Sequence, residues 1–190
     1  PFFIVNLCLR RDEGKFLVHP VMLVIVCIRM EDSMEEWKIV IKDNYHDAIK
    51  ESKCFSYVET IHHESECETQ TFFIYKGMQC IILEDAVTGV LPIVLDAFGA
   101  IFVGMNMHIN MLKQSERKMK TITVDSSFVD FVHIKGKRGL IVLCECDIYT
   151  IGTECQLLDH IALNDMIDDY EVKSQNVIIK LYDGSHYIYC

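Results

Sequence analysis

The sequence predicts a mostly-β fold, with an α+β portion on its N-terminal side and antiparallel hairpins stacked behind it. Three observations carry this. Short runs of Val, Ile, Phe and Tyr recur along the chain, each bounded by turn residues. One stretch, Asn44 to Ser52, spaces Tyr45, Ala48 and Ile49 as a helix does, behind a side chain able to cap it. From Ile101 to Cys190 the β-pattern repeats every 39 residues: Ile101-Phe102-Val103 aligns with Leu140-Ile141-Val142 and Ile179-Lys180-Leu181, and Ile109 with Ile148 and Tyr187. The pair Asp130-Phe131 aligns in the same way with Asp169-Tyr170.

In chain order, residues 1–94 form the expected α+β portion. Within it, 1–33 reads either as two apolar strands joined by the polar turn Arg10 to Lys15, or as an upstream extension before a start at Met30 or Met34. The apolar segments there are too short for a membrane helix, which takes about 20 residues, and no signal-peptide cleavage pattern follows them. Trp37 to Lys42 alternates as a strand, with Asp43 or Asn44 as the helix cap. Phe55 to Ile61 is a second strand, and His62 to Glu68 is a polar loop. Thr71 to Leu83 is a hairpin about Lys76-Gly77-Met78, where glycine accepts the positive φ of a tight turn. Thr88-Gly89 marks a turn. Pro92 cannot donate a ladder hydrogen bond, so the strand near Leu91 to Leu95 starts there or lies at an edge.

Residues 95–190 carry the repeat, continuous with the preceding portion as one domain. The first copy pairs Ala100–Val103 with Met107–Leu112 across Gly104-Met105-Asn106, and the second pairs Leu140–Cys144 with Asp147–Ile151. The third pairs Asn176–Tyr182 with Ser185–Cys190 across Asp183-Gly184, the strongest short hairpin signal in the chain. Thr121–Val124 and Cys155–Leu158 are candidate third strands, Phe128–Ile134 and Ile167–Val172 lead into the next unit, and Lys113 to Lys120 reads as a polar connection. Three or four short strands per roughly 40 residues is the grammar of a propeller blade. On these runs the region resembles the degenerate blade repeats of uncharacterised bacterial β-propeller-like proteins. The resemblance implies an inner strand, a hairpin and an outer strand in each copy, and open sheet edges through which a second copy could pair.

Composition narrows the function. A net charge of −10 disfavours nucleic acid and anionic membranes, because phosphate binding rests on Lys and Arg. Nine cysteines, an odd number, include Cys27 and Cys80 within apolar runs, which fits buried thiols in a reducing cytoplasm. The expected function is a non-catalytic protein-interaction module. Its partner would present a basic surface, as for an immunity-type protein that neutralises a toxin. The alternative is a hydrolase or metal-dependent enzyme whose His, Cys and Asp residues converge from loops.

For that alternative, His62, His63 and Cys67 are the candidate metal ligands, since zinc takes imidazole nitrogen and thiolate. They match no paired-ligand spacing, and no cofactor is expected. Asp165, Asp168 and Asp169 are the candidate binding carboxylates, without the glycine and terminal glutamate of a helix–loop–helix calcium site. His108, Asp147 and His186 fall at matching repeat positions, which argues for a repeated surface. Ser126, Ser127 and Cys54 lack the context of an activated nucleophile.

Overall fold

The computed structural model describes the backbone of Leu23–Ile25 and residues 36–189. It divides into two compact units, Pro1–Gly89 and Val90–Cys190. Most of the reading of residues 1–33 lies outside the described residues; Leu23–Ile25 alone is placed, as strand β1.

In the first unit β1 pairs with β2 (Lys38–Lys42), followed by α1 (Tyr45–Ser52), β3 (Tyr57–His62), β4 (Thr69–Lys76) and β5 (Gln79–Ala86). The sheet order is β1-β2-β4-β5-β3, antiparallel except for the parallel pair β3–β5. Asn44 is the helix cap: its backbone is extended and its Oδ1 accepts the Asp47 amide at 3.0 Å. Ala48 points from the helix into a cluster with Phe73, Cys80 and Ile82, flanked by Tyr45, Ile49 and Phe55. Burial there pushes the Cys80 thiol up to about 12, the behaviour of an inert core residue. The β4–β5 turn falls at Gly77-Met78, with Gly77 at φ +54.

The second unit is three antiparallel meanders. The first is β6 (Ile93–Ala97), β7 (Ala100–Met105), β8 (His108–Lys113) and β9 (Lys118–Thr123). The second is β10 (Phe128–Val132), β11 (Gly139–Cys144), β12 (Asp147–Gly152) and β13 (Leu157–Ala162). The third is β14 (Ile167–Lys173), β15 (Asn176–Leu181) and β16 (His186–Tyr189). Strands β7 and β11 are buried along their whole length, which is why they read as unbroken apolar runs. Blades two and three meet through Ile141, Leu143 and Ile148 against Val177, Ile179 and Leu181.

The repeat is physical. Strands β7, β8 and β9 recur 39 residues on as β11, β12 and β13 with matching pairings up to a register shift at Ile151: Ile101 faces Leu112 as Leu140 faces Ile151, and Asn110 faces Thr121 as Tyr149 faces His160. Both leading strands that carry the Asp-aromatic pair bulge at the same place, between Phe128 and Asp130 and between Ile167 and Asp169. In each, the aspartate Oδ1 accepts the next amide, from Phe131 at 2.7 Å and Tyr170 at 2.8 Å.

Four expectations are corrected. The first hairpin turns at Asn106-Met107, because Gly104 and Met105 belong to β7. The polar connection ends earlier than read: a 3₁₀ turn spans Gln114–Glu116, and Lys118 to Lys120 already lie in β9, an outer strand that tolerates charge because it faces solvent. Its counterpart β13 likewise runs on to Ala162, through His160. In the third hairpin Ile179 faces Tyr187, whereas Ile101 and Ile109 are not opposite one another. A three-residue loop, Tyr182 to Gly184, replaces the two-residue turn there, so the 39-residue spacing cannot hold on both strands at once.

Candidate functional site

Meander topology gathers five connections at each end of the second unit. At one end lie the turns 106–107, 145–146 and 182–185 and the inter-blade links 124–127 and 163–166. These five segments carry Asp125, Glu145, Asp165 and Asp183, and no Lys or Arg. Met107, Met166 and Tyr182 stand exposed among them.

This end is held by backbone hydrogen bonds that themselves repeat. The Phe128 amide donates to Asn106 O at 2.6 Å, as the Ile167 amide donates to Glu145 O at 2.7 Å, joining each blade to the next. Val124 donates to Met107 O at 2.9 Å, as Leu163 does to Cys146 O at 2.8 Å. Glu145 donates to Ser127 O and Tyr182 to Met166 O. Loops tied in this way present their carboxylates from fixed positions, with little ordering entropy left to lose on binding.

Beneath them is a connected side-chain network. Asp147, the first residue of β12, accepts the Ser126 hydroxyl on Oδ2 at 2.6 Å and meets His160 Nε2 on Oδ1 at 2.8 Å. Ser126 Oγ also accepts the Cys146 amide at 3.2 Å. The His160 ring stacks on Tyr149, centroids 4.3 Å apart and planes within 1°. The Tyr149 hydroxyl donates to Asp125 Oδ2 at 3.1 Å and accepts the Asp125 amide at 3.0 Å. Burial, reinforced by the nearby carboxylates, pushes that phenol up to about 12, so it stays a neutral donor.

Serine, histidine and aspartate together suggest nucleophilic catalysis, but the order is wrong. In a catalytic triad the imidazole stands between hydroxyl and carboxylate and takes the hydroxyl proton. Here the carboxylate stands between the other two, and the Ser126 proton is committed to Asp147. The network is a clamp that pins the 124–127 link to β12 and β13.

The residues singled out from sequence are placed as follows. His62 closes β3 and is exposed, with Nδ1 2.8 Å from Glu84 Oε2; His63 is buried, with Nδ1 2.7 Å from Asp85 Oδ2. Adjacent residues of an extended chain point to opposite sides, so the two imidazoles diverge. Cys67 is an exposed thiol whose amide donates to Ser65 Oγ. Among the described residues His62 and Cys67 join no cluster of three metal-competent side chains. Asp165 caps the Met166 amide, Asp168 pairs with Lys180, and Asp169 caps the Tyr170 amide. Each carboxylate is thus engaged separately, and only Asp165 belongs to the acidic loop end. His108, Asp147 and His186 are the first residues of β8, β12 and β16, the equivalence read from the repeat. The Ser126–Asp147–His160 clamp was not foreseen; the signal available was Asp147 at the start of a repeat strand.

No protein-family model and no curated protein matches the chain. Among solved structures it is similar to BBS1N, crystallised in complex with ARL6DN and soaked with lead: TM-score 0.51, 9% identity, 92% of this chain and 52% of that chain covered. The mercury-soaked crystal of the same complex gives a TM-score of 0.49 at 9% identity, covering 92% and 53%. The computationally designed Ika4 protein gives 0.45 at 10% identity, covering 68% and 88%. The chain therefore spans about half the length of BBS1N, a propeller-type domain, and the likeness at 9% identity is one of fold. Mostly-β, blade-like antiparallel sheets are the architecture. No helix among the described residues is long and apolar enough to cross a membrane.

Proposed function

We propose that this chain is a non-catalytic protein-binding module of the cytoplasm, and that its acidic loop end docks a partner with a basic surface. The observation that carries the reading is the combination at that end of Asp125, Glu145, Asp165 and Asp183, without a Lys or Arg in the same segments, and exposed Met107, Met166 and Tyr182. Carboxylates around accessible methionine and tyrosine side chains supply electrostatic steering and apolar contact together. BBS1N, of similar fold, is seen in complex with another protein, ARL6DN. Neutralisation of a basic toxin, an immunity-type role, is the specific form such docking would take here. The clamp geometry speaks against a hydrolase built on Ser126, because its hydroxyl donates to the Asp147 carboxylate and not to the His160 imidazole.

Capture from native lysate with the intact chain, beside a Glu145→Lys, Asp165→Asn, Asp183→Asn variant, tests this. The expected result is a stoichiometric partner with a basic surface, released by salt and lost with the variant. A partner retained equally by both proteins overturns the assignment of the surface. Substrate turnover, or a stoichiometric metal ion with no partner, overturns the binding reading itself.

A further inference from the structure

The opposite end of the second unit carries the opposite charge. Its connections are 98–99, 114–117, 133–138, 153–156 and 174–175. They contain Arg117, Lys135, Lys137 and Arg138, against Glu116 and Glu154. Both glutamates are already engaged by lysines of the adjoining strands: Glu116 with Lys113 and Lys118, and Glu154 with Lys113. Arg117, Lys135, Lys137 and Arg138 are exposed and form no ion pair among the described residues.

Three of these cations sit on one projection. The β10–β11 connection is six residues, 133–138, where the matching β6–β7 connection is two, Phe98-Gly99. Its turn closes through the Lys137 amide to Ile134 O at 3.1 Å, with Gly136 at φ +90. At its base the Phe98 ring meets His133 edge-on at 4.9 Å, an aromatic platform beside the cations.

We propose that the two ends are complementary and that a second copy of this chain docks head to tail, basic end onto acidic end. The inference rests on the reading that the acidic end is a docking face, and it names one occupant of that face. Four unpaired cations, three of them on the projection that Phe98 meets, face four carboxylates among Met107, Met166 and Tyr182. Screening confines the mutual repulsion of two chains of net charge −10 to roughly 8 Å at physiological salt, whereas pairs in contact are less screened. A contact between unlike surfaces leaves one free end of each kind on a dimer, so growth into longer chains or rings follows with concentration.

The test uses the intact chain and two variants. One is neutralised at the acidic end (Glu145→Gln, Asp165→Asn, Asp183→Asn), and the other at the basic end (Lys135→Gln, Lys137→Gln, Arg138→Gln). The Asn substitutions keep the oxygen that accepts the Met166 and Ser185 amides. Thermal melts matching that of the parent establish that both are folded. By light scattering, the parent is expected to pass from monomer to dimer and longer species with concentration. Each variant alone should stay monomeric, and an equimolar mixture should form a 1:1 dimer that grows no further. A parent that stays monomeric overturns the inference, as does a mixture that fails to associate. Variants that still self-associate overturn it too, in favour of pairing through sheet edges. The docking of a foreign basic partner is read separately by capture, so the two proposals fail by different measurements.

Discussion

Blades one and two share a backbone frame and fill it differently. The same pairings and the same seam bonds recur, yet Gly104 in β7 stands where Leu143 stands in β11, and Phe128 stands where Ile167 begins the next blade. A Cβ on Gly104 would lie 2.4–2.7 Å from the Phe128 ring, so the ring of the following blade occupies the space the strand leaves empty. At the second seam Leu143 is fully buried and Ile167 packs beside its cluster. Glycine with phenylalanine, and leucine with isoleucine, are two divisions of one volume. The polar pair differs as well: buried Asn110 accepts the Thr121 hydroxyl at 2.8 Å, where Tyr149 and His160 stack in blade two. The frame is set by backbone bonds, and side chains vary within it as pairs.

The largest expected effect breaks one such division. Gly104→Leu should cost about 3 kcal/mol or more by overpacking against Phe128. Adding Phe128→Ile, which copies the second seam, should recover most of that loss in urea unfolding; additive losses would refute the exchange of volume. Next, Asp147→Ala leaves the Ser126 hydroxyl and the His160 imidazole without their shared acceptor, at about 2–3 kcal/mol. Asp147→Asn keeps one acceptor oxygen and should lose less in the same assay. Tyr149→Phe cuts the tie to Asp125 for about 1 kcal/mol, while Thr121→Val in blade one removes the hydroxyl donated to Asn110 at a similar cost. The smallest effect near neutrality is a pH dependence that only blade two should show at this position. Burial raises the Cys144 thiol from 9.0 to about 12, and its counterpart Met105 does not titrate. A raised native value means the folded protein holds a proton the unfolded chain has released. Stability is therefore whole below about pH 9 and falls as pH climbs toward 12. The melting temperature should fall across that range, and fall less steeply with Cys144→Ala, the remainder coming from the other raised groups such as Cys80 and Tyr149.

Much of this frame was legible because it is written in local pattern. Of the two caps offered, Asn44 is the one used, the Gly77 turn fell in place, and the spacing of β7, β8 and β9 recurred in β11, β12 and β13. What escaped was written across distance. Ser126, Asp147 and His160 are separated by 21 and 13 residues, and nothing in their neighbours announces that topology stacks them at one blade end. Gly104 read as a turn residue because its partner, the Phe128 ring, comes from the next blade. Lys118 to Lys120 read as a connection because a strand with a solvent-facing outer side loses the apolar alternation by which strands are recognised. His62 and His63 attracted notice for being adjacent, the very property that turns them apart in an extended chain.

The seam bonds also make this molecule a gauge of its own partial opening. The amides of Phe128 and Ile167 each donate to a carbonyl of the preceding blade, so neither is freed by fraying within its own hairpin. In deuterated solvent their protons should be surrendered only when neighbouring blades part, and the two rates would report the opening free energy of each seam in turn. If the rates match, the array opens as a single cooperative block. If Ile167 runs ahead, the third blade detaches first while the other two remain joined, and the acidic end loses Asp165 and Asp183 from its surface before the rest of the unit unfolds.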